Sequence, residues 1–298
     1  MDNIFNDLKN IIIKKNEELN KYTFTRTGGK ADYVIFPKNN KEVVKVVKFS
    51  YINNIPLTII GNASNLIVKD GGIRGIVMIL TKMNNISLIK DNKLIASSGA
   101  KIIDVSEYAY RNGLSGLEFA AGIPGSVGGA AFMNAGAYGG EMSDVITEIE
   151  VMDYKGNIYN IHGSNLNFGY RWSVAQEKKL IVLSAIFSLT RGNKEKIRNK
   201  MDYLNFLRVS KQPLEYPSCG SVFKRPKGYY TGPLIQKAGL QGINVGGAQI
   251  STKHAGFIVN VNKATATDYL NLILLVQNTI KKAFDVSLET EVRIIGNN

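Results

Sequence analysis

FAAGIPGSVGGAAFMNAGAYGG, residues 119–140, decides how the rest of the chain is read. Thirteen of these 22 residues are Gly or Ala, and none is charged. A flexible linker would instead be rich in Ser, Lys or Glu. Here the glycines are mixed with Phe119, Ile123, Pro124, Val127, Phe132, Met133 and Tyr138. That mixture predicts backbone folded tightly into a buried site, with a large ligand lying against the main chain. Two further glycine clusters precede it, TRTGGKAD (25–32) and GNASNLIVKDGG (61–72). The latter follows the apolar run PLTII directly. Glycines there let N–H groups approach an anion such as a diphosphate, and Asn62, Ser64 and Asn65 can add side-chain bonds. Taken alone, that cluster is equally well a tight loop after a strand. Gly122, Gly125, Gly128 and Gly129 spell G-x-x-G-x-x-G-G. This is neither G-x-G-x-x-G nor a P-loop, which argues against a Rossmann dehydrogenase or a P-loop NTPase.

The whole chain narrows the class further. Its 298 residues are 44% hydrophobic, enough for two or three domains with a substantial core. No apolar run approaches the roughly 20 residues needed to cross a bilayer. The start, MDNIFNDLKNIIIKKNEE, has no signal-peptide pattern and reads as an amphipathic surface helix of a cytoplasmic protein. One cysteine, Cys219, excludes an intrachain disulfide, and two histidines, His162 and His254, argue against a catalytic metal. The net charge of +13 is spread along the chain with Asn and Ile. No nucleic-acid motif and no aromatic–basic alternation accompanies it, so neither nucleic acid nor membrane is expected as a partner.

Hydrophobic periodicity gives a strand at ADYVIFPKN, a helix at NKEVVKVVKFSYINN, and buried strands at IPLTIIG and GIVMIL. Hairpins are expected to turn at Asp91-Asn92 and Lys155-Gly156, and KLIVLSAIFSL is a further strand. IIDVSEYAYRNG is a helix closed by Gly113. A basic helix follows at 193–210, then a short helix near 233–239, the strand HAGFIVN, a long helix and a final strand LETEVRIIG. Thr265 and Asp268 form a capping-box signature for the long helix. Strands without regular βαβ alternation make the class α+β. The expected divisions are an N-terminal helix at 1–21, subdomains at 22–85 and 86–199, and a last domain at 200–298.

TRTGGKAD, GNASNL, AGIPGSVGGAAFMNAGAYGGE, GYRWS, CGSVFKRP and LETEVRIIG, in this order over residues 22–296, strongly resemble the UDP-N-acetylenolpyruvoylglucosamine reductase family, in its type II form. The resemblance implies a two-part FAD-binding domain of vanillyl-alcohol-oxidase type, followed by a smaller C-terminal α+β substrate-binding domain. It implies non-covalent FAD, NADPH as reductant, and UDP-N-acetylglucosamine enolpyruvate as substrate, reduced to UDP-N-acetylmuramate for peptidoglycan. Flavin N5 would deliver hydride to the enolpyruvyl carbon, and a proton would follow at the adjacent carbon.

On the same resemblance, FAD would lie against Arg26, Gly28 and Gly29, and against Gly61, Asn62, Ala63, Ser64, Asn65 and Leu66. The long stretch would add Gly122, Ile123, Pro124, Gly125, Ser126, Gly128 and Gly129, then Asn134, Gly136, Ala137 and Tyr138. Ser221 matches the proton donor, Arg171 the arginine that polarises the substrate carboxylate, and Glu291 the glutamate paired with it. From the bare residues Glu289 competes with Glu291, since i and i+2 share a face on a strand; the family's E-V-R selects Glu291, with Arg293 following. Lys224 and Arg225 are expected at the diphosphate, although the family often has Asn where Arg225 stands. Lys211, Lys253 and His254 are further candidates, with a structural role equally open for His254. Cys219 reads as a buried small hydrophobe. A monomer is expected. The alternatives are an FAD-dependent oxidase of a small alcohol or sugar on the same fold, and an anion- or nucleic-acid-binding protein without a chromophore.

Overall fold

The computed structural model describes residues 8–90 and 92–298. They form two compact units, each drawn from separate stretches of chain. One takes residues up to 15, 33–62 and 75–207; the other takes 16–32, 63–74 and 208–298.

In the first unit, helix α1 (Asn40–Ile52) starts at Asn39, whose side chain accepts the Glu42 N–H at 3.0 Å. Its Val43, Val46 and Val47 recur at helical spacing and are buried with Ile35, Ile76 and Met78. Strand Leu57–Ile60 runs parallel to Ile76–Ile79 in that layer. A second, antiparallel sheet has the strand order Ile158–His162, Ile146–Met152, Ile181–Ser188, Lys93–Ser97, Ile86–Lys90. Its outer pairs are the two expected hairpins. The Lys155-Gly156 turn is closed by Asp153, whose carboxylate accepts the Lys155 and Asn157 N–H groups at 2.8 and 2.9 Å. Asp91, at the other turn, lies outside the described residues. Helices α2 (Ile102–Arg111) and α3 (Val127–Met133) share this sheet's core, through Ile102, Val105 and Val127 with Leu94, Ile149 and Phe187. Gly113 follows α2 with φ +66°, as a C′ glycine does. Helix α4 (Val174–Glu177) is a single turn.

Helix α5 (Lys194–Lys211) leads toward the second unit's last stretch. There an antiparallel sheet runs in the order Ser218–Ser221, Phe257–Asn260, Ala248–Ile250, Asn244–Val245. Helices α6 (Thr231–Lys237) and α7 (Ala266–Phe284) share its core, with Tyr269, Leu272, Val276 and Ile280 fully buried. The α7 capping box is present, and Asp268 N–H and Thr265 N–H are both bonded at 3.0 Å. Asp70 adds a second cap, accepting from Ala266 N–H and Thr267 N–H at 2.8 Å each and from Thr267 Oγ1 at 2.6 Å. Burial raises the Asp70 carboxyl, but the bonds from Thr267 and Ala266 outweigh it and hold it below the usual range.

Three readings change. The N-terminal helix is not formed at Ile12–Glu18, which is an edge strand; residues 1–7 of that expectation lie outside the described residues. The β-branched run at 11–13 favours extended backbone, and Lys14 and Lys15 suit a sheet edge. LETEVRIIG is a strand only at Arg293–Ile295, parallel to Leu66–Val68. Thr290 makes one bridge to Phe223, so Glu289 and Glu291 precede the strand. Finally, the glycine-rich stretch holds helix α3. Ser126 caps it by accepting the Gly129 N–H at 3.4 Å, and Val127, Ala130 and Ala131 bury one face.

The clusters TGGK and KDGG interlock. A Cβ on Gly29 would strike the Asp70 carbonyl oxygen, and one on Gly72 the Lys30 carbonyl oxygen, while Gly29 N–H donates to Lys69 O at 3.1 Å. Gly29→Ala is therefore expected to cost about 2–3 kcal/mol by overpacking against backbone. That lowers the unfolding midpoint by roughly 3–5 °C. A thermal melt matching the unmodified protein would show that the two loops part cheaply.

Candidate active site

In the first unit the ends of two glycine clusters meet. Asn62 Nδ2 donates to the Pro124 carbonyl at 2.6 Å, and a Cβ on Gly61 would strike the Ser126 hydroxyl. Gly128 is buried against Ser98, to whose carbonyl its N–H donates at 2.8 Å. These glycines bring two loops together. Others leave backbone bare: Gly122, Ile123 and Gly125 are half-exposed, Gly129 is exposed, and a Cβ on Gly129 would meet only Ser126 Oγ, at 3.5 Å. No charged side chain belongs to 119–140. This uncharged surface of main chain suits a pyrophosphate, and the residues present fit FAD.

Arg171 stands at the tip of a two-residue hairpin in the same unit. Gly169 and Trp172 exchange both backbone bonds at 3.1 Å, and Arg171 takes φ +56°, a left-handed conformation that non-glycine residues seldom adopt. The turn is held from behind. The Asn134 amide is fully buried, donating to Gly169 O at 3.0 Å and accepting the Ser143 N–H at 2.9 Å. Gln176 Nε2 donates to Phe132 O at 2.7 Å and to Arg171 O at 2.9 Å. The guanidinium donates to Gly136 O at 3.4 Å and lies 5.0 Å from the Tyr170 ring centroid. Ala137 is half-exposed and Tyr138 exposed with φ +52°. Gln176 was absent from the sequence reading, and nothing in its local pattern marks it.

In the second unit, Ser221 ends a strand on a bulge. Ser218 pairs with Val259 and Ser221 with Phe257, with a register shift between, and Gly220 has φ +79°. A bulge re-aims the side chain beside it, and Ser221 is exposed. The next residue carries Glu291: Val222 O accepts the N–H groups of Glu291 at 2.8 Å and Val292 at 3.3 Å. Asn65 Nδ2 donates to Glu291 O at 3.2 Å. Ser221, Glu291 and the loop Ala63–Leu66 thus share one backbone frame. Glu289, the competitor on the bare sequence, instead pairs with Lys224 Nζ at 3.1 Å, on the exposed side.

The other candidates scatter around this frame. Arg225 stacks 3.8 Å from the Tyr230 ring centroid and donates to Tyr229 O at 3.3 Å. Lys253 donates to Val209 O near the end of α5 at 2.7 Å, with Glu215 at 3.9 Å. His254 Nδ1 accepts the Gly256 N–H at 3.1 Å, and its ring meets Phe257 edge-on at 4.8 Å. Burial pulls its imidazole below the ordinary value, consistent with a neutral ring accepting at Nδ1. Arg26 is exposed with φ +55°, and Gly28, φ +121°, packs on Val68. Lys211, at the end of α5, is exposed. Cys219 is buried, which pushes its thiol up to about 12 and makes it inert, in line with the small-hydrophobe reading.

Comparison with known proteins identifies the family. The FAD binding domain family matches residues 31–162, and UDP-N-acetylenolpyruvoylglucosamine reductase, C-terminal domain, matches residues 212–295. The reductase of Lactobacillus helveticus is 60% identical over 97% of this chain and 98% of its own. That of Listeria innocua is 55% identical over the full length of both. The solved reductase of Thermus caldophilus has a TM-score of 0.80 at 33% identity, covering 95% of this chain and 98% of that one. A grass pollen allergen with glucose dehydrogenase activity, Phl p 4, shares the fold alone, with a TM-score of 0.52 at 15% identity over 64% of this chain and 44% of its own. The protein is an FAD-binding oxidoreductase of vanillyl-alcohol-oxidase fold. Within that class, the chain belongs to the UDP-N-acetylenolpyruvoylglucosamine reductase family. Its chemistry is reduction of the enolpyruvyl substrate in peptidoglycan synthesis, with FAD and NADPH. Among the described residues no helix is long and apolar enough to cross a membrane.

Proposed function

We propose that Ser221, Arg171 and Glu291 carry the second half of this reaction, in which UDP-N-acetylglucosamine enolpyruvate becomes UDP-N-acetylmuramate. The observation that carries the proposal is the backbone frame that ties Glu291 to the residue after Ser221 at 2.8 Å. FAD, once reduced by NADPH, supplies the hydride. The chain's residues do the rest. Bare backbone at Gly122–Gly125 and Gly129 would hold the cofactor without covalent attachment, with Gly61, Asn62 and Ser64 in the loop packed beside it and Leu66 opening the strand that follows. Asn134 would serve that site by fixing the turn that bears Arg171.

Negative charge develops beside the substrate carboxylate when hydride arrives. Arg171 matches it, because a guanidinium fork pairs with a carboxylate through two parallel bonds. A serine hydroxyl is a weak acid and gives its proton only to a strongly basic carbon, which the developing carbanion is. Glu291 stabilises that state from the paired segment. Lys224 and Arg225, close in sequence to Ser221, would bind the diphosphate, whereas the bonds of Lys253 to Val209 and of His254 to Gly256 favour a structural part for those two. The protein works as a cytoplasmic monomer.

A visible spectrum of the purified protein followed by acid precipitation tests the cofactor part. A flavin spectrum is expected, with the chromophore left in the supernatant. Flavin pelleting with the protein would instead support an oxidase with tethered cofactor, and a colourless protein that cannot be reconstituted would remove the glycine-loop assignment.

A further inference from the structure

The second unit contains a short chain of bonds that starts in the loop after the strand Leu57–Ile60 and ends at the proton donor. Ala63, at φ +50°, accepts the Phe24 N–H at 3.3 Å. Two residues on, Asn65 grips the C-terminal segment twice: its carbonyl accepts the Arg293 N–H at 3.1 Å, and its side-chain Nδ2 donates to the Glu291 carbonyl at 3.2 Å. Glu291 in turn donates its N–H to Val222 O, beside Ser221. The backbone of Glu291 is therefore held on both sides, by Asn65 at its C=O and by Val222 at its N–H. The regular parallel pairing of Leu66 with Arg293 begins only after this point. At Glu291 itself no strand ladder does the holding, because the strand starts at Arg293.

We propose that Asn65 is a positioning residue: its side-chain amide sets the place of Glu291, and through Val222 that of Ser221, so that the cofactor loop and the proton-transfer groups move as one body. The inference rests on the assignment of Glu291 to the second half-reaction. A backbone carbonyl held by a side-chain amide is a local device, and its loss leaves both chain segments folded, since the Asn65 carbonyl and the ladder at Leu66–Val68 are untouched. The consequence is selective. The larger loss falls on the second half-reaction, because there the enolpyruvyl substrate meets a misplaced carboxyl group. Displacement of a reacting group by about 1 Å can cost roughly a hundredfold in rate.

Stopped-flow measurement of the two half-reactions in Asn65→Ala, Glu291→Gln and the double variant, each saturated with FAD, tests this. The flavin content of each variant is measured alongside. Expected is a ten- to hundredfold slower reoxidation of reduced flavin by the enolpyruvyl substrate in Asn65→Ala, about the loss that misplacement causes. The loss in reoxidation is expected to exceed any loss in reduction by NADPH at least tenfold, and the double variant to be no slower than Glu291→Gln alone, as for residues that act through one another. Asn65→Asp, which keeps the size but loses the donor, is expected to behave like the alanine variant, and Asn65→Gln to recover part of the rate. If Glu291→Gln is slow but Asn65→Ala reoxidises normally, or its loss multiplies that of Glu291→Gln, the positioning role is overturned and the Glu291 assignment stands. If both half-reactions slow together with loss of FAD, Asn65 acts on the cofactor instead, and the proposal is overturned. If Glu291→Gln turns over normally, the assignment of Glu291 itself falls, and the positioning role falls with it.

Discussion

Ser221→Ala is expected to reduce its flavin with NADPH at the normal rate and then stall. A positioned general acid contributes about 10²–10⁴ in rate, and this variant removes it without disturbing the fold. Ser221 is exposed on a bulge and follows Gly220 at φ +79°, so truncation of its hydroxyl opens no cavity and breaks no core contact. The measurement is single-turnover reoxidation by the enolpyruvyl substrate. Hydride transfer and proton transfer can be separated by running it in deuterated water. A stalled second step with an intact first step supports the assignment. Full turnover would remove Ser221 as donor and turn attention to a water. Cys219 does not compete for that role, because it is buried and burial pushes its thiol up to about 12.

Replacement of Arg171 by methionine carries the next largest expected effect, a loss of about 10²–10³ in the second half-reaction, comparable with removal of one donor to a developing anion. Lysine restores the charge but not the planar fork, so only partial recovery is expected. The structure makes a particular control available. Trp172, the sole tryptophan of the chain, is the next residue and closes the hairpin through its two bonds with Gly169. Its emission reports whether the turn survives the substitution. Unchanged emission with lost activity assigns the loss to the guanidinium. A shifted emission assigns it to collapse of the left-handed turn that Asn134 and Gln176 hold in place. Unchanged activity would show that Arg171 has no part in the reaction.

The two hairpins, the α1 and α2 helices and the capped α7 were legible because each depends on local patterning. Alternation, helical spacing and a Thr265–Asp268 box act within a few residues of one another. The failures have causes that lie outside the local pattern. At Ile12–Glu18 a mixed apolar and charged pattern suited either a surface helix or an edge strand, and pairing across the sheet chose the strand. At 127–133 high glycine content concealed a helix, because the bonds that compensate for it come from Ser98 and Ala100, about 28 residues earlier in the chain.

The amino-acid sequence by itself determined the family, through six ordered motifs, and with it the cofactor and the reaction, since these follow from which residue types occur and in what order. Which glycines face other backbone and which leave backbone bare was settled only by tertiary structure: Gly29 and Gly72 interlock two loops, whereas Gly129 stays exposed. The same holds for the partners of Glu289 and Glu291. Both are carboxylates two residues apart, but one donates its N–H to Val222 and the other pairs with Lys224 on the surface. The physical reason is range. Propensity and periodicity act along the chain, while the bonds from Asn65 to Glu291 and from Glu291 to Val222 join segments far apart in sequence, which only the folded chain brings within 3.2 Å.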